Sequence, residues 1–433
     1  MESLLVWIGA IALIGIIFIP YLVKFRKQQQ IDYDRHQEAM SLGADKPIAQ
    51  YPQIDLLRCF GCGSCVRACP EGDVLGIVMG KSTVINGLKC VGHARCAAVC
   101  PVNAITVGLG DITKRDDIPY MNEYNETSIP GVYIAGELGG LALIKNAIGQ
   151  GKKVVDHIAA TLPSHREDQY DLIIIGAGPA GISAALTAIQ HKLSYLLLNQ
   201  QGLGGTILQY PRKKVVMTHP VEIPLYGWLE KQEYAKEELV DIWNDIHAKY
   251  RLNLKTGEKL EHVRTDDGGF TIQTQEQTYH AQRVVLALGR RGTPRKLGVP
   301  GEESAKVMYK LEDAESFQNN KVLIVGGGDS AIEAAIGLAM QQGNTVTLSY
   351  RKQKFFRLKK KNQQKIDELM DLGMVKVLFE SQVTEIKPDS VLITSPEGET
   401  VLKNDYVLVF AGGEPPFKLL KDIGIRFGGE SQN

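Results

Sequence analysis

Residues 171–190 read DLIIIGAGPAGISAALTAIQ. The apolar run Leu172–Ile175 suits a buried strand, Gly176-x-Gly178-x-x-Gly181 follows at once, and the alanine-rich stretch beyond suits a closely packed helix. Strand, glycine turn and helix in this order form the phosphate-binding corner of a dinucleotide fold. The first glycine permits the turn, the second lets a pyrophosphate approach, and the third lets helix and strand pack closely. The helix N-terminus adds partial positive charge. Gly176, Gly178, Pro179, Ala180 and Gly181 are therefore candidate cofactor contacts. Where an acid is expected about twenty residues later, SYLLLN ends in Asn199, whose amide can hydrogen-bond a ribose hydroxyl.

The layout recurs. KVLIVGGGDSAIEAAIGLAM (321–340) carries Gly326-x-Gly328-x-x-Ala331 after the strand Val322–Val325, with Asp329 and Ser330 inside the turn. Each copy continues through short alternating strands to a return strand, RVVLALG (283–289) in the first and DYVLVFAGG (405–413) in the second. Two copies predict two nucleotide-binding α/β domains. The strand TVTLSY of the second copy runs into Arg351 and Lys352, with Arg357 nearby. Cations there accommodate a 2′-phosphate and favour NADP over NAD.

The chain has 433 residues, enough for about three domains. Lys+Arg and Asp+Glu are both 49, so no global basic field points to nucleic acid. All seven cysteines lie between Cys59 and Cys100, an odd and clustered set unlike a secreted disulfide framework. Leu4–Val23 is apolar throughout and is followed by Lys24, Arg26 and Lys27. That pattern predicts a single transmembrane anchor over 1–30, with the rest of the chain on the cytoplasmic side of the inner membrane. Residues 31–50 read as a polar linker without chemistry.

Cys59-x2-Cys62-x2-Cys65-x3-Cys69-Pro70 has the spacing of bacterial iron–sulfur loops. Cys90-x2-His93-x2-Cys96-x3-Cys100-Pro101 repeats the register, with His93 in place of the second cysteine. Residues 51–112 thus resemble two-cluster bacterial ferredoxins, in which the fourth cysteine of each run serves the other cluster. That resemblance implies one [4Fe–4S] cluster on Cys59, Cys62, Cys65 and Cys100. It implies a second on Cys69, Cys90 and Cys96, with His93 as fourth ligand or, if His93 is unbound, a three-iron or labile cluster.

From residue 170 onward the chain resembles the low-molecular-weight thioredoxin-reductase-like flavoproteins. The resemblance is carried by GAGPAG, GLGGT (202–206), LALGRRGTPRKLGVPGE (286–302) and GGGDSAIEAA. It implies FAD in the first half, with Gly204, Gly205, Thr206 and Gly289 added to its contacts, and NAD(P)H in an inserted domain over 299–404. The family's redox cysteine pair is replaced by YKLEDAESF (309–317), and Ala180 stands where related bacillithiol-disulfide reductases carry a cysteine. Ferredoxin–NADP reductases of this fold also lack the pair and are the nearer resemblance. The segment T-S-x-P-G-V-x-x-A-G-D, which usually closes the family's chain, stands here before the first glycine loop as Thr127–Glu137. A circular permutation is expected, with 118–160 completing the FAD domain of 118–298 and 405–433, and with Gly136 and Glu137 touching FAD.

The expected fold is therefore α/β: two Rossmann-like domains behind a small α+β ferredoxin-like domain and one transmembrane helix. The expected function is electron transfer between NAD(P)H, FAD and [4Fe–4S] clusters, with a ferredoxin, quinone or membrane cytochrome as partner; a homodimer is compatible with it. The competing readings are an NADPH-dependent disulfide reductase and a non-catalytic electron-transfer subunit. No side-chain acid or base is required for hydride transfer, so no catalytic residue is assigned.

Overall fold

The computed structural model describes the backbone of all residues except 1, 42, 45–49, 110–114, 142, 218–219, 232, 267 and 429–433. The side chains of 2–6, 8–11, 17 and 217 also lie outside the described set. The chain forms two compact units, residues 1–110 and 111–433.

The first unit opens with helix α1 (Glu2–Ser41). Its second half is not a linker. Asp32, 4% exposed, accepts the backbone N–H of Ile77 at 2.8 Å, and Ala39 and Ala44 are buried. Buried carboxylates are retained where a partner satisfies them, so this contact ties the helix to the cysteine-bearing fold. That fold consists of β1 (Tyr51–Ile54), α2 (Ser64–Ala68), β2 (Leu75–Val78), β3 (Lys81–Val84), α3 (Arg95–Ala98) and β4 (Ile105–Gly108). β1 pairs antiparallel with β4, and β2 with β3. Its core is small, centred on Cys65, Val74, Leu75, Cys96 and Ile105.

The expected anchor is corrected here. Among the described residues no helix is long and apolar enough to cross a membrane. The run Leu4–Val23 lies partly on side chains outside the described set. It also contains Pro20 and merges without a break into the polar half of α1. The single-pass inner-membrane location and the membrane attachment are withdrawn with it.

The second unit contains two sheets. The first is built from β5 (Val132–Ile134), β6 (Tyr170–Ile175), β7 (Tyr195–Asn199), β12 (Leu254–Thr256), β13 (Leu260–Asp266), β14 (Gly269–Thr274) and β15 (Thr278–Leu286). Its order is β12-β7-β6-β15-β14-β13, and β5 joins the C-terminal end of β15 in parallel, Val132 opposite Val284. Helices α4 (Ile144–Thr161), α5 (Pro179–Gln190) and α6 (Lys236–Tyr250) cover one face. Two short hairpins precede α6: β8 (Val215–Met217) with β11 (Glu233–Ala235), and β9 (Val221–Ile223) with β10 (Gly227–Leu229). α4 and α5 cross so tightly that a Cβ on Gly151 would lie 2.2 Å from the carbonyl oxygen of Ala180.

The second sheet has the parallel order β17-β24-β18-β19-β20: β17 (Val307–Met308), β18 (Lys321–Val325), β19 (Thr345–Tyr350), β20 (Val375–Phe379) and β24 (Tyr406–Val409). It is flanked by α7 (Asp329–Ala339), α8 (Lys360–Asp371) and the meander β21 (Gln382–Ile386), β22 (Ser390–Ser395), β23 (Gly398–Lys403). Because β24 pairs with β18 and β17, residues 405–409 belong to this half rather than to the first. The crossover strands β16 (Thr293–Pro294) and β25 (Gly413–Glu414) pair with each other. Beyond them α9 (Phe417–Ile423) and Ile425–Phe427 return to the core of the first half. There Tyr120 N–H donates to Arg426 O, and Gly428 N–H to Ile118 O.

Candidate functional site

In the first unit the seven cysteines line two cavities. One is lined by Cys59, Cys62, Cys65 and Cys100. The other is lined by Cys69, Cys90, Cys96 and His93, with Glu71. Each cavity therefore takes three positions from one run and one cysteine from the other. The short helices α2 and α3 cause this, since each begins after a residue with left-handed φ (Gly63 and Ala94) and aims its run inward. Among the described residues, no three Cys, His, Asp or Glu converge closely enough for a single metal ion. Thiols ringing an open volume instead suit a polynuclear cluster, which spreads its ligands wider.

The sulfurs are prepared for anionic form by backbone donors. Ser82 N–H points at Cys59 Sγ (3.4 Å), and Ala104 N–H at Cys100 Sγ (3.2 Å). Cys65 Sγ and Ser82 Oγ are 3.2 Å apart. At the exposed rim, a hydrogen bond with Ser64 holds the Cys62 thiol below its usual range. Burial raises Cys65, Cys69 and Cys96, and it pushes Cys90 up to about 11. Thiols so shifted stay protonated alone and become thiolates when a cation supplies compensating charge.

In the second unit the residues expected at the first nucleotide loop meet in one place. Gly176, at φ 112°, turns the chain from β6 into α5, and a Cβ there would lie 2.4 Å from Ala287 O. A Cβ on Gly181 would strike the Gly176 carbonyl at 1.8 Å, so only glycine lets the helix close on the strand. Gly178 caps α5, Pro179 begins it, and Gly205 packs against Gly178. Gly204 precedes the 3₁₀ turn holding Gly205 and Thr206, and Gly289 faces Thr206 Oγ1. Gly136 lies beside Ala180, and its N–H donates to Gln150 Oε1 at 2.7 Å. Glu137 is adjacent; burial raises its carboxyl, opposed by Arg291 and Arg290. Asn199 has an internal role, accepting Ala177 N–H at 3.2 Å and donating to the carbonyls of Gln201 and Gly202 at 2.9 Å. Its amide braces the glycine loop.

At the second loop Gly326 precedes Gly328, which caps α7, and Ala331 is buried. Asp329 Oδ1 accepts Lys359 N–H (3.0 Å) and Asn362 Nδ2 (2.7 Å). Ser330 Oγ accepts Arg291 Nη2 at 3.0 Å. Arg357 reaches the position a Cβ on Gly328 would face, at 3.1 Å, while Arg351 and Lys352 are exposed at the end of β19.

Sequence reading did not anticipate the seam between the halves. Arg212 pairs with Asp313 (3.0 Å), Lys213 with Glu315 (2.6 Å) and Lys214 with Glu333 (2.6 Å). Lys214 and Arg291 both approach the ring of Tyr210, at 4.6 and 5.8 Å. Burial raises the Tyr210 hydroxyl, with Glu137 and Glu333 adding to it. The signal was a basic run, Arg212–Lys214, complementary to the acidic run Glu312–Glu315.

Residues 51–101 match the 4Fe–4S dicluster domain family. Among curated proteins, a ferredoxin–NADP reductase of Ignicoccus hospitalis is 29% identical, over 60% of this chain and 83% of its own length. The 34.2 kDa protein of the rubredoxin operon of Clostridium pasteurianum is 32% identical over 59% and 80%. Among solved structures, a bacillithiol disulfide reductase from Staphylococcus aureus superposes with a TM-score of 0.54 at 25% identity, covering 60% of this chain and 81% of that one. Residues 173–432 match the pyridine nucleotide-disulphide oxidoreductase family. The chain belongs to that family: it is an NAD(P)H-dependent flavoprotein oxidoreductase, binding FAD and NAD(P), with an iron–sulfur domain at its front.

Proposed function

We propose that this protein moves electrons between NADPH and a redox partner through FAD and two iron–sulfur clusters, as a ferredoxin–NADP reductase-like enzyme with its own cluster domain. The observation that carries this reading is the pair of cysteine-lined cavities in a chain whose other unit is a two-nucleotide flavoprotein. Cys59, Cys62, Cys65 and Cys100 would hold one cluster; Cys69, Cys90, Cys96 and His93 the other. Gly176–Gly181, Gly204–Thr206, Gly289, Gly136 and Glu137 would hold FAD. Gly326–Ala331, Arg351, Lys352 and Arg357 would hold NADPH. The chemistry those groups supply when bound is hydride acceptance and single-electron transfer. The chain's residues position them: glycine turns admit the pyrophosphates, Tyr210 and Arg291 stand together at the seam, and backbone amides support the thiolates.

We also read residues 118–160 as a circularly permuted closure of the FAD domain. The pairing of β5 with β15, and of Ile118–Tyr120 with Arg426–Gly428, supports it. Permutation is tolerated where the joined ends lie together.

A thiol-reductase reading is disfavoured because no cysteine follows Cys100 and Ala180 replaces the thiol of the glycine loop. A ferredoxin is the preferred partner, in keeping with the name of the Ignicoccus relative. Anaerobic purification followed by NADPH titration tests the proposal. The expected result is flavin bleaching followed by a reduced-cluster EPR signal. Flavin reduction with oxidised, fully loaded clusters, or a chain without iron, overturns it.

A further inference from the structure

The two cysteine cavities of the first unit differ at two matched positions. The second ligand position holds Cys62 in one and His93 in the other; the residue after the Cys-Pro pair is Val102 in one and Glu71 in the other. Both changes occur on the same site, and they meet. His93 Nε2 lies 3.8 Å from Glu71 Oε1, with the side chains only 10% and 8% exposed, whereas Cys62 is exposed. Buried carboxylates are retained beside polar groups that satisfy them, and the His93 imidazole is such a group beside Glu71 inside the ligand cavity.

An imidazole in place of a thiolate removes one negative charge from a cluster's ligand shell and raises its potential. Histidine ligands commonly give their second ring N–H to a carboxylate, which fixes the ring and makes it a stronger donor. A movement of about 1 Å would bring Nε2 and Oε1 to hydrogen-bond distance.

We propose that Glu71 is the positioning residue of the second cluster. Its carboxylate takes the Nε2–H of His93, leaves Nδ1 for iron, and restores just outside the ligand shell the negative charge that the cysteine-to-histidine exchange removes. This rests on the reading of His93 as a ligand, and the test separates the two.

The full chain is produced anaerobically with ¹⁵N-histidine. Iron per chain, histidine ¹⁵N hyperfine coupling and the potential of each cluster are then measured by EPR. The expected wild-type result is histidine coupling on one cluster only. Glu71→Gln, which keeps a hydrogen-bond acceptor, should retain that coupling and shift the second cluster's potential upward. Glu71→Val should lose the coupling or the iron at that site, and Glu71→Asp should restore both; the first cluster's signal serves as the internal control for folding. In a His93→Cys background, Glu71→Gln should move the potential less. If Glu71→Gln and Glu71→Val leave coupling and potential as in the wild type, Glu71 is merely structural and the proposal fails. If the wild-type chain shows no histidine coupling, the ligand reading of His93 fails first, whatever Glu71 does.

Discussion

The side-chain oxygen of Ser128 accepts the backbone N–H of Arg426 at 2.9 Å, across 298 positions of sequence. Ser128 belongs to the TSIPGV segment that stands ahead of the first glycine loop, and Arg426 follows α9 at the far end of the fold. The contact brings the TSIPGV segment against the stretch after α9, the junction that the permutation proposed above requires.

A chain in which residues 165–428 are followed by 118–164 should therefore keep every strand pairing of the first sheet. The expected outcome is about one FAD per chain, with a flavin absorption spectrum unchanged from the parent. A rearranged chain that folds, by circular dichroism, but binds no flavin would remove the permutation reading.

Glu137 gives a pH-dependent signature in the flavin-free protein. Desolvation by the surrounding protein raises its folded carboxyl above the ordinary 4.5, although the residue keeps a solvent-exposed side, so the folded state holds the proton more tightly than the unfolded one. Stability from this group is full at low pH and declines as pH rises from about 4.5 through the raised value. Glu137→Gln should thus melt at a higher temperature than the parent at pH 7, with the gap closing toward pH 4.5, while binding FAD more weakly. Parallel melting curves across that range would show that Glu137 is not desolvated in the flavin-free chain.

Arg351→Glu should reverse coenzyme preference. A cation near a 2′-phosphate contributes about 1.4 kcal/mol or more, a factor of ten in kcat/KM, and a carboxylate there repels the phosphate while accepting a 2′-hydroxyl. Steady-state rates with NADPH and NADH, using an artificial acceptor, should show at least a tenfold fall in the ratio. An unchanged ratio transfers the role to Lys352 or Arg357.

Lys214 and Glu333 form the least exposed of the three ion pairs along the seam. Lys214→Glu should lower stability and disturb NADPH-dependent reduction, and Glu333→Lys added to it should recover part of both. Partly buried pairs give couplings of about 1 kcal/mol in such cycles. Additive losses would mean that the two side chains act independently.

Much of this fold was legible because its signals are local. An apolar tetrad followed by glycines at fixed spacing permits one backbone path, and Thr127–Glu137 was recognisable by its resemblance to the segment that usually closes the family's chain. The reading failed where the deciding interaction was remote. Residues 31–50 read as a polar linker, yet Asp32 is drawn into the ferredoxin-like core by the amide of Ile77. The apolar start was read as an anchor, though it is one stretch of a longer helix. Tyr210 carries no motif; its environment comes from Lys214, Arg291 and the opposite half.

By itself the sequence determined the donor types, their spacing and the two glycine turns, because backbone sterics and ligand reach act over a few residues. Tertiary structure decided that Asp32 joins the cysteine-bearing fold, that β5 extends the sheet beside β15, and that Glu71 meets His93. Those outcomes depend on burial, which is a property of the whole packed chain and has no address in any short segment.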